Sequence, residues 1–191
     1  MKTILMKIGF MPILILLACV PAEFKNPLSS PDKAISDISL NGLWASNDKI
    51  TDYIFIKNKN NGMADLVWID NQEEGKGVNT IQCEIYPTEI EKSKYLNLKV
   101  VTKNDSGELK YSNNYMILKY EVKNKLLSIW FLDETYCTDA IKNGSLEGKI
   151  DGKQSNEHIV VTDTQDKNIS FIKNNKSDDI FNSFGEFHKI E

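Results

Sequence analysis

Cys19, Cys83 and Cys137 are the three cysteines of this 191-residue chain, and His158 and His188 its two histidines. Those five side chains bound the nucleophilic and metal chemistry open to it. A serine or cysteine nucleophile needs a base presented to it, and neither histidine sits in a motif that would do so. There is no G-x-S-x-G, no H-E-x-x-H, no phosphate-binding loop and no glycine-rich dinucleotide turn. The run from Lys57 to Gly62 lacks the acidic ligands of a calcium loop. Asp133-Glu134 and Asp178-Asp179 are paired carboxylates, but each fits the first turn of a helix, where negative charge meets the dipole. The sequence therefore names no catalytic residue, no metal ligand and no cofactor, and the chain reads as a protein that is not an enzyme. Trp44, Trp68 and Trp130 could line a ligand cavity or simply fill a core.

Charge narrows the partners. All 23 basic residues are Lys, with no Arg, so the planar fork that clamps phosphate or carboxylate is missing. A formal charge of −4 and a pI near 5.3 imply no surface for nucleic acid. With 41% hydrophobic and 26% charged residues, the balance is that of one globular domain with a real core.

Cys19 has a context of its own. Lys2 and Lys7 precede an apolar run from Ile8 to Leu17, which is too short for a bilayer span of about twenty residues and has the length of a signal-peptide core. The run ends Leu16-Leu17-Ala18-Cys19, which resembles the bacterial lipobox. That resemblance implies that the Cys19 thiol receives diacylglycerol, that residues 1–18 are removed, and that acyl chains hold the mature chain to a membrane. Loss of Lys2 and Lys7 would take the formal charge from −4 to −6. Val20, rather than Asp, follows the Cys, and by the same resemblance the destination is the outer membrane of a Gram-negative envelope, facing the periplasm. Residues 19–39 are rich in Pro, Ser and charge and read as the lipidated Cys and a flexible tether. Residues 40–191 read as a single globular domain.

The elements of that domain follow from periodicity. "VNTIQCEIY" puts Ile81, Cys83 and Ile85 on one face, "YLNLKVV" does the same with Leu96, Leu98 and Val100, and "NYMILKYEV" with Met116, Leu118, Tyr120 and Val122. "NGLWAS", "DYIFI", "MADLVWI", "KLLSIWFL" and "EHIVVTD" add strands, with tight turns at Asn61-Gly62 and Lys123-Asn124. "DETYCTDAIKNG" predicts a helix capped by Asp133, with Tyr136, Cys137, Ala140 and Ile141 as its inward stripe. "TQDKNISFIKNN" and "SDDIFNSF" predict short helices, and "GEFHKI" a closing strand. The expected class is α+β: an antiparallel meander, strongly twisted or a partly closed barrel, with short helices in the C-terminal third.

Two resemblances bear on this. Gly42-Leu43-Trp44 is similar to the G-x-W signature of lipocalins, where the Trp closes the barrel floor. Thr51-Asp52-Tyr53 resembles their second signature, though early in the chain, and the Arg of their third has no counterpart. The resemblance implies a calycin-like carrier of a small apolar ligand. Across most of the mature length the chain resembles a group of small, uncharacterised Gram-negative lipoproteins, through "NGLW", "YLNLKVV", "LLSIWFLDE" and the positions Ala140, Ile141, Gly144, Leu146 and Gly148. That resemblance implies no activity. Two functions follow as expectations: an anchored, non-catalytic module that binds an envelope protein or a cell-wall component, or the carrier. In an oxidising compartment Cys83 and Cys137 are candidates for a disulfide if helix and sheet bring them together.

Overall fold

Alternation of apolar and polar residues becomes strand where one face can be buried. A computed structural model describes residues 21–46, 52–71, 78–103, 109–152, 157–175 and 177–190. Their strands are β1 (Glu23–Phe24), β2 (Gly42–Ser46), β3 (Tyr53–Asn58), β4 (Ala64–Asn71), β5 (Val78–Ile90), β6 (Ser93–Lys103), β7 (Leu109–Tyr111), β8 (Tyr115–Lys123), β9 (Leu126–Leu132), β10 (Gly148–Asp151), β11 (His158–Val161) and β12 (Phe181–Lys189). Between β9 and β12 lie helices α1 (Glu134–Lys142) and α2 (Gln165–Asn174) and the single turn α3 (Ser177–Ile180).

β2 to β6, then β8 and β9, form an antiparallel meander; β12 returns between β9 and β2, and β8 pairs back onto β6. These pairings close an eight-stranded barrel, so the α+β class with late helices is the class observed. Closure leaves the barrel strands no open edge. The β8–β9 turn holds Asn124 and Lys125 at φ 52° and 64°, the left-handed pair of a two-residue hairpin. From one side of β8, strands β1, β11 and β10 extend outward as a small three-stranded wing.

Two cores result. Inside the barrel, Trp44, Ile54, Ile56, Leu66, Ile85, Leu96, Leu98, Leu118, Leu127, Ile129 and Phe187 pack as one cluster. Outside it, Tyr95, Ile117, Leu132 and Phe181 on the backs of β6, β8, β9 and β12 pack against the helices and the wing, with Phe24, Cys137, Ile159 and Phe171.

The N-terminal segment corrects one expectation. From residue 21 it is not a free tether but a strap bound to the barrel. Ala22, Phe24, Leu28 and Leu40 are fully buried. Buried side chains supply the polar contacts that a chain without regular structure needs. Leu28 donates its amide to Asn97 Oδ1 at 2.7 Å, Asn97 Nδ2 donates to Thr88 Oγ1 at 2.7 Å, and Tyr86 OH donates to the Ser29 carbonyl at 2.8 Å. The strap then crosses one end of the barrel and pushes Leu40 into the interior cluster. A second correction concerns "SDDIFNSF": helix stops at Ile180, and Phe181 begins β12, paired with Leu132. A bulge between Ser183 and Gly185 re-phases that strand. Phe184 and Phe187 thereby both join the interior cluster, a spacing of three that imitates a helix in the sequence.

Candidate functional site

The strap closes one end of the barrel. At the closed end the strap places Asp37 under the strands. Its carboxylate accepts from Lys94 Nζ at 2.7 Å, Tyr120 OH at 2.9 Å and Ser39 N at 3.0 Å. Burial pushes the Asp37 carboxyl up, but the hydrogen bonds from Lys94, Ser39 and Tyr120 outweigh it and hold its pKa at about 2. Burial, and then the charge of Asp37, push the Tyr120 phenol upward. Trp44 lies deep in this half, donating its indole N–H to the Leu40 carbonyl at 2.8 Å, with Lys189 Nζ 5.3 Å above its ring.

Away from the strap the interior turns aromatic. Phe184 meets Phe131 at 4.5 Å and Trp68 at 4.8 Å, both edge-on, and Trp68 meets Phe187 at 6.4 Å. The Trp68 indole Nε1 is buried there with no hydrogen-bond partner among the described residues, which leaves a buried donor unsatisfied. Residues 47–51, 72–77 and 104–108 lie outside the described residues.

The outer surface holds a feature that period-two reasoning missed. Cross-strand partners run Leu43–Phe55–Val67–Gln82–Val101–Tyr111 across β2 to β7. Trp44, Ile54, Ile56, Leu66, Trp68 and Cys83, which neighbour this row on β2 to β5, pack into the interior, so the row faces outward. The next outward row holds Ala45, Tyr53 and Ile69. Phe55 is 42% exposed, Val78 60%, Leu109 53% and Tyr111 42%. No described helix covers this side; the outer core lies against β6, β8, β9 and β12. Antiparallel sheet that faces water carries polar residues on that face; here the outward positions Tyr53, Phe55, Val67 and Ile69 of β3 and β4 are apolar, and polar residues return only at the pair Lys57 and Asp65. The signal was present in "YIFI" and "LVWI", which are unbroken rather than alternating.

The remaining residues singled out by sequence fall as follows. Cys19 lies outside the described residues. The disulfide between Cys83 and Cys137 is not formed: both thiols are free and buried. Cys83 points into the barrel and Cys137 into the outer core, so β5 and α1 offer them to opposite sides of the sheet. Burial pushes both thiols up to about 12, with Asp133 adding to the effect at Cys137. His158 on the wing has Nε2 3.5 Å from Glu23 Oε2, and His188 is exposed on β12. Asp133 caps α1 by accepting from Tyr136 N at 3.0 Å. Trp130 packs on the outer core with Lys119 Nζ 5.4 Å from its ring. Among the described residues no three His, Cys, Asp or Glu side chains converge to hold a metal. A groove of about 290 Å³ between α1 and α2 is lined by Tyr136, Asp139, Phe171 and Asn175. Its polar groups satisfy one another, Tyr136 OH donating to Asn175 Oδ1 at 2.8 Å and Asn175 Nδ2 to the Phe171 carbonyl at 2.6 Å.

The chain matches no protein-family model, and no curated protein and no solved structure matches it.

Proposed function

We propose that this protein is a non-catalytic binding module of the cell envelope. Acyl chains on Cys19 hold it to the outer membrane on the periplasmic side, and its barrel docks another envelope protein through the outer apolar belt. The belt is the observation that carries this reading. Contiguous exposed apolar surface of that kind marks interaction sites, and its Phe55, Tyr53 and Tyr111 are the residue types enriched at the centre of protein interfaces. Leu43, Phe55, Val67 and Ile69 offer no hydrogen-bonding side-chain group to a polar cell-wall glycan, so a protein surface suits the belt better. The interior supports the same division of labour, because aliphatic side chains from the strands fill its deep half.

The test is affinity capture of the lipidated protein from its own envelope, beside Phe55→Glu and Val67→Glu. Both side chains point away from the interior, so the barrel should persist, as circular dichroism would verify. The expected result is a partner held in fixed ratio by the parent and lost from both variants. Equal capture by all three would sink the reading.

One observation favours a second reading, a carrier of a small apolar ligand. The unpartnered Trp68 N–H sits among Phe131, Phe184 and Phe187, and a ligand with one acceptor on an apolar body would satisfy it. Titration with a long-chain fatty acid, read by tryptophan fluorescence and repeated with Trp68→Phe, separates the two. Saturable binding weakened by the substitution supports the carrier; no saturation up to millimolar ligand removes it.

A further inference from the structure

The outermost strand of the wing has an open edge. We propose that two copies of this protein associate through β10, strand against strand about a two-fold axis, in a register centred on Ile150. β10 stands at one end of the sheet, with β11 on one side and no described strand on the other. Thr162 donates its amide to the Glu147 carbonyl at 2.8 Å, and the pairing continues as Gly148 with Val161, Lys149 with Val160, Ile150 with Ile159 and Asp151 with His158. Bonded and non-bonded pairs alternate along an antiparallel ladder. Lys149 and Asp151 therefore bond to β11, and Gly148 and Ile150 turn their N–H and C=O groups outward. The next strand agrees: Val161, the partner of Gly148, gives its carbonyl to the Lys25 amide on the β1 side at 2.9 Å. Among the described residues nothing bonds the outward groups of Gly148 and Ile150.

An open edge invites any strand, and proteins guard such edges with shortness and charge. Here the charges select one partner. Gly148-Lys149-Ile150-Asp151-Gly152 reverses into itself with the signs exchanged. Lys149 and Asp151 are exposed on the same face of β10, and neither has an ion partner among the described residues. With Ile150 opposite Ile150 of a second copy, Lys149 stands opposite Asp151 of that copy and Asp151 opposite its Lys149. These are non-hydrogen-bonded positions, where Cα atoms come within about 4.5 Å and side chains are closest. The Ile150 N–H and C=O groups exchange bonds across the axis, and Gly148 faces Gly152 with no side chain to obstruct. A slip that centres Lys149 sets Lys149 on Lys149 and Asp151 on Glu147, and a slip the other way sets Asp151 on Asp151. Repulsion thus fixes the register as well as attraction.

β10 is held in shape for this contact. α1 covers one face of it, since a Cβ on Gly148 would lie 2.5 Å from Ile141 Cδ1, and β11 holds its inner edge. Few groups beyond the Lys149 and Asp151 side chains lose freedom on pairing. The contact is isologous and joins two wings into one continuous sheet. Its edge is short, so the association is reversible. It uses no residue of the outer belt, so loss of the dimer and loss of the belt's partner are separate results.

Native mass spectrometry of the full-length protein in detergent, at rising protein concentration, tests this. The parent should pass from monomer to dimer. Lys149→Asp makes the edge doubly acidic and Asp151→Lys makes it doubly basic; both side chains are exposed, and circular dichroism verifies the fold. Each variant alone should dimerise at least about tenfold more weakly, since favourable pairs become repulsive ones. An equimolar mixture of the two should form a heterodimer as readily as the parent forms its dimer, because every acid then meets a lysine. A parent that stays monomeric at every concentration overturns the proposal. So does a dimer that either variant leaves unchanged, or a mixture with no more heterodimer than either variant forms homodimer.

Discussion

Replacing Asp37 with Asn should loosen the closed end of the barrel by a predictable amount. The carboxylate is the hub on which the strap, β6 and β8 meet, through Ser39, Lys94 and Tyr120. Its pKa falls from the ordinary 3.8 to about 2, and at about 1.36 kcal/mol per pH unit this corresponds to about 2 kcal/mol of folding stability at neutral pH. The folded pKa lies below the unfolded one. The contribution is therefore complete above about pH 4, shrinks as the unfolded chain takes up its proton, and is gone once the pH falls through about 2. Asn copies the shape of the protonated acid but not the charge. The assay is urea unfolding of a chain beginning at Val20, which retains every described residue, followed by tryptophan fluorescence at several pH values. At pH 7 the Asp37→Asn variant should be less stable by about 2 kcal/mol, with an unchanged denaturant slope. That gap should close progressively as the pH falls from about 4 to about 2. A gap below about 0.5 kcal/mol at pH 7, or one constant across the acid range, would refute the reasoning.

Tyr120→Phe should remove the 2.9 Å hydrogen bond to Asp37 and destabilise by about 1.5–3 kcal/mol, the range for bonds to charged groups; the same unfolding assay reads it, and a neutral result would mean that the phenol is not engaged. Native protein starting at Val20 should show no thiol reactive at neutral pH, because burial pushes Cys83 and Cys137 up to about 12. Unfolding without reductant should then expose two free thiols, whereas none would demand the disulfide. Gly62→Ala places a methyl 2.9 Å from the Ala34 carbonyl oxygen at a backbone φ of 79°. Thermal unfolding should show a loss of about 1–3 kcal/mol, and wild-type stability would mean that the strap does not lie against the β3–β4 turn.

The sheet was legible wherever one face was to be buried and the other wetted. β5, β6 and β8 alternate because Cys83, Ile85, Leu96, Leu98, Leu118 and Tyr120 all point into one barrel, while the tight turn read at Lys123-Asn124 lies one residue later, at Asn124-Lys125. α1 was legible for the same reason, from its cap and its single apolar stripe. What failed was decided by distant partners. The strap has no period, since Phe24, Leu28 and Leu40 are each buried by a different element, and a Pro- and Ser-rich composition reads as linker until Asn97 and Lys94 are seen to receive it. Phe181 reads as the end of a helix until Leu132 pairs with it; tertiary pairing overrode local propensity there. The outer belt could be found only by asking why Tyr53, Phe55, Val67 and Ile69 lie on the outward face of β3 and β4, a question that needs the register to answer.

Site-specific photo-crosslinking in intact cells tests the central claim most directly, that the outer belt of an envelope-anchored barrel is its working surface. A photoreactive phenylalanine analogue placed at Phe55 or at Tyr111, both outward and exposed, should yield the same discrete protein adduct in the membrane fraction. The same probe at Glu121, exposed on β8 and outside the belt, should yield none. Absence of any adduct from Phe55 and Tyr111, or an equal adduct from Glu121, would contradict the account.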